Sequence, residues 1–469
     1  MLINEKSNSQ GIYQMELTCI NNLVPQGHLL RLINENVDFS FITDKVRPFY
    51  SEHQGRPSIG PIRLFKMMLI GYLYGIRSER QLEQEIIPNA AYRWFLDMGF
   101  TDVVPDHSTI SWNRNNRFKG TNVFQEIFDD VVRVAINHRM VAGRVLVTDS
   151  THIRANANNN RFTMQVVQDT PLSYVEQLEI AVHTSREDHE KKPLPPRKEE
   201  VQTTKSMVSS TDPESGLLKR HGKPEGFHYL DHRTVDHKFN IITEVHVTPG
   251  NVNDSNVYID RLKRQIDTFG FTTLEAVALD SGYMTPYICE QTQQMNIFAV
   301  IAERIAPSEP GIYPKQQFIY DKAKDVYRCP SGEELTYRTT NRVGYAEYQS
   351  DAVKCAICPS LNNCTTNKNN QRIIQRHVWE GSKEKVVQNR KSENGEKIYK
   401  MRKETIERSF ADAKELHGYR RRCRMRGKAK VQEQALMTAI AQNIKKMARH
   451  LGRKAKCLLP NGDLLALSN

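Results

Sequence analysis

Two carboxylates in this chain stand where they could bind divalent metal ions. Asp149 follows the β-branched run Arg144–Thr148, and Asp280 follows the apolar run Leu274–Leu279. Polar groups from neighbouring strands can converge where such strands end, at the edge of an apolar core. Carboxylates on rigid elements suit magnesium, a hard cation, and pairs of such ions promote phosphoryl transfer on nucleic acids. The two positions therefore predict a strand-borne metal site.

A third carboxylate of the same kind is Glu407. One face of a helix through this region would carry Lys403, Glu407, Ala411 and Lys414. Such a face would turn one carboxylate toward metal ions and two cations toward phosphates. The alternative is an ordinary amphipathic helix with Glu–Lys pairs on its surface. The two aspartates favour the metal site.

The basic charge of the chain is concentrated near this helix. The 469 residues carry a formal net charge of +12. Residues 401–430 contain eleven Lys or Arg and four acids, so this segment alone contributes +7. A concentration of this size indicates a surface that binds phosphates, with a solvated helix face as the alternative.

The pattern of apolar residues predicts an α/β protein with an all-helical N-terminal domain. Residues 1–135 have helical spacing, and the short helices joined by tight turns fit a DNA-reading domain or a helical cap. Strands and helices alternate over 140–305, and helices return over 396–455. The intervening 306–395 is polar, Cys-bearing and irregular, and is predicted to be an insertion.

The segments around the three carboxylates resemble motifs of DDE transposases from bacterial insertion sequences. Val147–Asn156 resembles the first-aspartate motif and Val277–Tyr283 the second. Ile406–Lys414 resembles the glutamate motif, including the lysine seven residues after the glutamate. Val247–Ser255 matches a recurring family segment, and residues 58–118 resemble the accompanying helical N-terminal domain. The resemblance spans most of the chain in the expected order.

This resemblance implies an RNase H-like catalytic domain, a mixed sheet flanked by helices, over 140–305 and 396–455. It implies that Asp149, Asp280 and Glu407 bind two Mg²⁺ or Mn²⁺ ions per active site, and that Lys414 contacts DNA phosphate. The family pattern sets Tyr and Arg seven and four residues before the glutamate. In this chain Tyr399 and Arg402 each lie one residue further back. Arg402 or Lys403 would supply the phosphate contact.

Further DNA contacts are predicted in the basic run that follows. These residues are Arg420, Arg421, Arg422, Arg424 and Arg426. Their contribution to binding would depend on salt, because it comes from neutralised phosphates.

Four cysteines suggest a structural zinc site in the insertion. Cys355 and Cys358 form a C-x₂-C pair, with Cys329 upstream and Cys364 downstream. A metal would stabilise a segment with few core residues. The alternatives are four reduced thiols or an iron–sulfur cluster.

Other acidic and histidine residues admit structural explanations. Asp254 follows a Pro-Gly-Asn turn and is predicted to cap a helix rather than to be a fourth ligand. Asp231, His232, Asp236 and His237 could imitate a metal site. Alternation along a strand sends them to opposite faces, which argues against a single site.

These observations predict a DNA transposase that cleaves insertion-sequence ends and transfers the 3′-hydroxyl strand to target DNA. Its partner would be double-stranded DNA, held by a homodimer or larger assembly. The alternatives are a catalytically inactive DNA-binding descendant and a metal-dependent nuclease. No apolar run reaches the ~20 residues of a membrane-spanning helix. The N-terminus lacks a signal-peptide pattern, which predicts a cytoplasmic protein associated with the bacterial nucleoid.

Overall fold

A computed structural model describes residues 15, 17–51, 58–168, 174–196, 203–219, 225–303, 310–420 and 422–458. These residues form two compact units. The helical unit comprises the described residues of Met1–Val141, Ser409–Met425 and Ala429–Asn469. The sheet unit comprises those of Ala142–Arg408 and Arg426–Lys428. The chain is thus a mixed α/β protein with a helical N-terminal region, as predicted. The predicted functional domains divide the C-terminal residues differently and stay a prediction.

Among the described residues, eight helices precede the first strand. They are α1 Ile20–Leu23, α2 Leu29–Asn36, α3 Ser40–Val46, α4 Pro61–Leu73, α5 Glu79–Ile86, α6 Ala90–Phe95, α7 His107–Trp112 and α8 Val123–Asn137. Helix α4 begins with a proline at its first position, where no intrahelical N–H bond is lost, and Leu64–Leu73 is buried throughout. Ser78, Asn89 and Asp106 cap α5, α6 and α7 through side-chain oxygens. A π turn, Asn113–Arg117, follows α7.

The sheet unit is built on a six-stranded mixed sheet with a separate two-stranded hairpin. The strands in chain order are β1 Val145–Arg154, β2 Phe162–Gln168, β3 Thr203–Ser209, β4 Gly216–Leu218, β5 Gly226–Asp236, β6 Ile241–Pro249, β7 Ala276–Leu279 and β8 Phe298–Ile301. β2 and β3 form the hairpin. In the main sheet β5 pairs antiparallel with β1, β4 and β6. β1, β7 and β8 are parallel neighbours. β7 and β8 are apolar and almost wholly buried, as is typical of parallel strands covered on both faces.

Residues 306–395 contain a second sheet, which the sequence interpretation as an irregular segment missed. Its strands are β9 Ile319–Asp321, β10 Val326–Arg328, β11 Glu334–Thr340, β12 Tyr345–Ser350 and β13 Ile373–His377, all antiparallel in the order β13-β12-β11-β10-β9. Phe318, Tyr327, Leu335, Tyr348 and Ile374 form its apolar core. The segment therefore has a core of its own.

The remaining helices follow β2 in the chain. They are α9 Val175–Glu187, α10 Tyr258–Phe269, α11 Pro286–Gln294, α12 Ala352–Ala356, α13 Leu361–Cys364, α14 Glu380–Lys391, α15 Glu393–Arg402, α16 Arg408–Leu416 and α17 Lys428–Leu458. A π turn, Lys403–Glu407, joins α15 to α16. In the described part of the chain, no helix combines the length and apolar character needed to span a membrane.

The glycine that leads into β1 fixes the start of the strand that carries Asp149. Gly143 has φ +66°, and a Cβ there would lie 2.7 Å from a ring carbon of buried Phe271. We expect Gly143→Ala to lower the free energy of unfolding by about 3 kcal/mol, from the left-handed backbone and the displaced ring. Gly270 has the same φ of +66° but no atom within 4 Å of an added Cβ, so Gly270→Ala should cost only about 1 kcal/mol. Urea denaturation of the two variants measures the difference, and equal losses would contradict the packing role.

Candidate active site

The strand register places Asp149 and Asp280 side by side. Val147 of β1 lies opposite Ala278 of the parallel strand β7. Asp149 and Asp280 each follow two residues later, so they point to the same face of the sheet. β7 ends at Leu279, whereas β1 continues to Arg154. Asp149 therefore lies inside β1 and not at the strand end expected from sequence. It is level with the point where the neighbouring strand β7 ends.

The guanidinium of Arg402 joins the two aspartates. Its Nη2 lies 2.6 Å from Oδ2 of Asp149, and its Nη1 lies 3.4 Å from Oδ1 of Asp280. Nη1 also donates to the hydroxyl of Tyr399 at 3.0 Å. The Arg402 side chain is only 7% exposed, compared with 21% for Asp149 and 49% for Asp280. A buried cation thus lies between two acids that would otherwise repel each other.

Burial has the largest effect on the pKa of the Asp149 carboxyl. It raises the pKa of the carboxyl to about 6, although the charge of Arg402 and the backbone N–H of Ser150 oppose this effect. The charges of Asp280 and Asp254 raise the pKa further. For Arg402, burial would lower the pKa, but Asp149, Tyr399 and Asp280 together raise it. Arg402 is the counter-charge that keeps Asp149 ionised near neutral pH.

The π turn between α15 and α16 accounts for the offset of Tyr399 and Arg402. A π turn closes i→i+5 hydrogen bonds, so it accommodates one more residue per turn than an α-helix. The turn spans Lys403–Glu407, between Arg402 and the glutamate. The extra residue is therefore absorbed locally. Arg402 is turned onto the sheet and Lys403 is exposed.

Among the described residues, Glu407 does not join the two aspartates in one cluster of ligand atoms. Its π turn packs on β1 and β5, but its side chain is exposed. Among the described residues, no three acids including Asp149 and Asp280 have oxygens within 4.8 Å of one another. Lys414, half-buried, lies on α16 in the helical unit. Glu407 as third ligand and Lys414 as phosphate contact stay predictions.

Asp254 lies next to the two aspartates, and the prediction that it caps a helix is wrong. Asn253 is the cap: its side chain accepts from the N–H of Ser255. Asp254 instead accepts a hydrogen bond from the Ser150 hydroxyl at 2.7 Å. Because its charge also raises the pKa of Asp149, a third carboxylate stands near the candidate site.

The acids and histidines of β5 have structural partners, and every residue of this strand is buried. Asp231 pairs with Arg233, with Nη2 2.7 Å from Oδ2. Asp236 accepts the backbone N–H of Gly143 at 2.8 Å. Nε2 of His232 lies 2.8 Å from the Thr248 hydroxyl. These contacts support a structural role for Asp231, His232 and Asp236, whereas His237 follows the strand and is half-buried.

His232 should make the sheet unit sensitive to acid. Burial, reinforced by the charge of Arg261, lowers its pKa to about 3 from 6.5. The unfolded chain therefore binds a proton that the folded chain refuses, and stability falls as pH drops from about 6.5 toward 3. Between pH 7 and 4.5, we expect wild type to lose about 2–3 kcal/mol more than His232→Gln, measured by urea denaturation. Exposed His138→Gln is the control and should lose as much stability as wild type. An equally large loss in His232→Gln would refute the assignment.

The residues of the basic run have different surroundings. Arg420 and Arg422 are exposed in the helical unit, and Arg420 lies 3.3 Å from Glu415. Arg424 is half-buried, with its guanidinium 4.0 Å from the centre of the Tyr72 ring. Arg426, in the sheet unit, donates to the carbonyl of Asn156. Arg421 lies outside the described residues. Contact of these residues with DNA stays a prediction.

The four insertion cysteines are neighbours beside the second sheet. The thiols of Cys329, Cys355 and Cys358 all influence the pKa of Cys364, which burial raises. In the described structure, no three of the sulfurs lie within the 4.8 Å that a shared ion requires. The Cys355 and Cys358 thiols instead lie near Ser350 and Ser331, at 3.2 and 3.6 Å. Zinc binding would need these side chains to turn, and it stays a prediction.

One cluster with ligand-like spacing was not expected from sequence. Among the described residues, Glu83, Asp106 and His107 have polar atoms mutually within 4.8 Å. Glu83 accepts both the backbone and the ring N–H of His107, each at 2.8 Å, and Asp106 caps α7. The cluster joins α5 to α7. The sequence signal was the Asp-His-Ser start of α7, a capping pattern.

The donor chemistry of the candidate site fits a divalent cation. Asp149, Asp280 and Asp254 offer hard oxygen ligands, with Glu407 on the adjoining π turn. The Arg402 guanidinium already compensates two of these acids in the structure. A cation bound by the same oxygens would replace that compensation.

Two family models match the chain. A transposase domain (DUF772) matches residues 18–116, and a transposase DDE domain matches residues 328–448. The matches confirm the resemblance to DDE transposases of insertion-sequence type. The second match includes Glu407 but neither Asp149 nor Asp280.

Among solved structures, the chain is similar to a piggyBac transposase synaptic complex with hairpin DNA determined by cryo-EM. Sequence identity is 10%, the match covers 92% of this chain and 82% of the other, and the TM-score is 0.29. A similarity of this size carries no argument about fold or function. No curated protein matches the chain.

Proposed function

We propose that this chain, which carries two transposase domains, cleaves the ends of a DNA element and joins the freed 3′-hydroxyl to target DNA. The observation that carries the proposal is the side-by-side placement of Asp149 and Asp280 on neighbouring parallel strands. The mixed sheet with flanking helices supports an RNase H-like fold. The motif order and the DDE match around Glu407 support the third acid.

Two Mg²⁺ or Mn²⁺ ions held by Asp149, Asp280 and Glu407 would stabilise the attacking and leaving oxygens of the phosphodiester. The chain itself fixes the acids. β1 and β7 set their separation, and the N–H of Ser150 orients the Asp149 carboxylate. Lys403, exposed beside Arg402, would contact a DNA phosphate. Because the sheet carries the acids, the substrate strand has to approach them at the end of β7.

The DNA partner would be held by the helical unit. The helical N-terminal domain would bind element ends, and the exposed Arg420 and Arg422 would contact phosphates. Two ends must be held together for joining, which calls for a homodimer or larger assembly. Such a reaction on bacterial DNA would take place in the cytoplasm, at the nucleoid.

A cleavage and joining assay tests the function. The substrate is a duplex that carries the inverted repeat found beside the gene, with a supercoiled plasmid as target. We expect Mg²⁺-dependent nicking at the repeat and covalent joining of its 3′ end to the plasmid, both abolished by chelation. Cleavage without joining would identify a nuclease. Binding without cleavage in Mg²⁺ and Mn²⁺ would identify an inactive DNA-binding protein.

We also propose that Cys329, Cys355, Cys358 and Cys364 bind structural zinc. Metal analysis of the purified chain should find about one zinc per chain. Cys358→Ser should lose the metal, whereas Cys289→Ser, which alters a buried thiol outside the cluster, should retain it. Purified wild type without zinc would refute the proposal.

A further inference from the structure

The helical unit contains a polar cavity of about 250 Å³. Helices α4, α5 and α7 line it together with the π turn after α7, residues 424–425 and the first turns of α17. Such a volume exceeds what a single water needs. The cavity is therefore large enough for a small polar group of several atoms.

The charges that line the cavity are unbalanced. The cations are Arg77, Arg114, Arg424 and Lys430, and the acids are Glu79 and Glu433. The acids are both engaged by Arg114, which contacts Glu79 and lies 2.6 Å from Glu433. The lining thus has a net charge of +2, and both of its carboxylates are already paired with Arg114.

Arg424 is the cation that most needs a counter-charge. Its Nη2 donates to the carbonyl of Gly71 at 3.3 Å, and its guanidinium stacks on Tyr72. In the described part of the chain, no carboxylate forms an ion pair with it. Burial lowers the pKa of this guanidinium, and the charges of Arg114 and Arg77 lower it further. Buried charges are ordinarily paired, so this arrangement indicates a missing anion.

Two buried donors of residues that line the cavity also lack acceptors. They are Nε of Arg424 and the hydroxyl of Tyr72, for which the described residues supply no hydrogen-bond partner. Tyr72 is 3% exposed. A buried donor without an acceptor is costly, and one oxyanion could accept from both groups.

We infer that this cavity is a binding site for a phosphate group, supplied either by a DNA phosphodiester or by a free phosphate. The site is distinct from the carboxylates of the sheet unit and does not rest on the proposed catalysis. Arg424 would pair with the phosphate charge, and the Tyr72 hydroxyl would donate to one of its oxygens. The excess charge of the lining fits a dianion or a singly charged phosphodiester.

Calorimetric titration of the full chain with inorganic phosphate, at constant ionic strength set by chloride, tests the site. We expect saturable binding with one phosphate per chain. The Asp149→Asn variant should bind phosphate equally well, so a failure of the proposed catalysis would leave this result intact. Absence of saturable binding would overturn the inference, because water alone would then fill the cavity.

Tyr72→Phe is the sharpest variant because it removes only the unpartnered hydroxyl. We expect roughly tenfold weaker phosphate binding, from one lost hydrogen bond to a charged group, with a melting temperature in chloride no lower than that of wild type. Tyr74→Phe is the control, because Tyr74 follows the last residue of α4 and does not line the cavity. Unchanged phosphate affinity in Tyr72→Phe would overturn the assignment.

Arg424→Gln should weaken phosphate binding by more than tenfold, whereas Arg80→Gln, an exposed cation on α5, should not. A duplex oligonucleotide then identifies the source of the phosphate. If bound duplex displaces inorganic phosphate, the site takes a DNA phosphodiester. If duplex binds while phosphate stays, the site takes a free phosphate group. Either result supports the site.

Discussion

Asp149→Asn is expected to reduce strand cleavage by at least about 10³-fold while DNA binding persists. Asparagine keeps the size of the side chain and can still accept from the N–H of Ser150, so β1 should keep its course. It lacks the negative charge that two metal ions require. Asp280→Asn should have the same effect, because its carboxylate faces the same site from β7. Single-turnover cleavage of an end duplex measures both variants, with gel-shift binding measured in parallel.

Asp267→Asn is the matched control, since Asp267 is an exposed acid on α10 of the same unit. It should cleave like wild type. If either active-site variant retained cleavage within tenfold of wild type, the assignment of that acid would be wrong. Glu407→Gln and Asp254→Asn extend the test. A large loss in Asp254→Asn with a small loss in Glu407→Gln would identify Asp254 as the third ligand.

The placement of the two aspartates was predictable because it depends on local patterns. The apolar runs before Asp149 and Asp280 each form a strand, and parallel neighbours bring equivalent positions together. Sequence could not show that β1 continues to Arg154. Its later residues pair with β5 rather than β7, a long-range contact that no local pattern reports.

The role of Arg402 was not predictable from helical spacing. A regular helix puts Lys403 on the face of Glu407, whereas the π turn exposes Lys403 and turns Arg402 inward. π turns depend on how a helix packs against its neighbours, so their position is not encoded in periodicity. The one-residue offset from the family pattern was the available signal.

The sequence of residues 306–395 contains a pattern typical of strands, but the polar composition of the segment concealed it. In β12, Tyr345–Ser350, buried and partly exposed residues alternate. Such alternation is typical of a strand with one covered face. The segment has few aliphatic residues, and aromatic side chains form much of its core instead. Tyr327 and Tyr348, for example, pack with their ring centres 5.1 Å apart.

Arg402→Met is expected to lower the free energy of unfolding by about 3 kcal/mol in the absence of divalent metal. The variant leaves Asp149, largely buried, without its counter-charge, and returns Asp280 to repulsion from Asp149. Because Arg402 lowers the pKa of Asp149, its removal should raise that pKa above about 6. The carboxyl then binds its proton at higher pH, so the difference from wild type should shrink as pH falls from that raised pKa toward 6 and change little below it. Urea denaturation in a chelator at pH 7.5 and 5.5 measures both effects.

Mn²⁺ should stabilise Arg402→Met more than wild type, because in wild type the guanidinium competes for the same carboxylate oxygens. Lys403→Met removes the adjacent exposed cation and should match wild type in chelator and in Mn²⁺. In the double variant Arg402→Met/Asp149→Asn, most of the lost stability should return, since no buried charge is left unpaired. An Arg402→Met protein as stable as wild type in chelator, with an equal response to Mn²⁺, would show that the guanidinium does not hold the two acids together. The expected result would instead make Arg402 the side chain that metal binding displaces, freeing a cation beside the site where the proposed function would place the DNA strand.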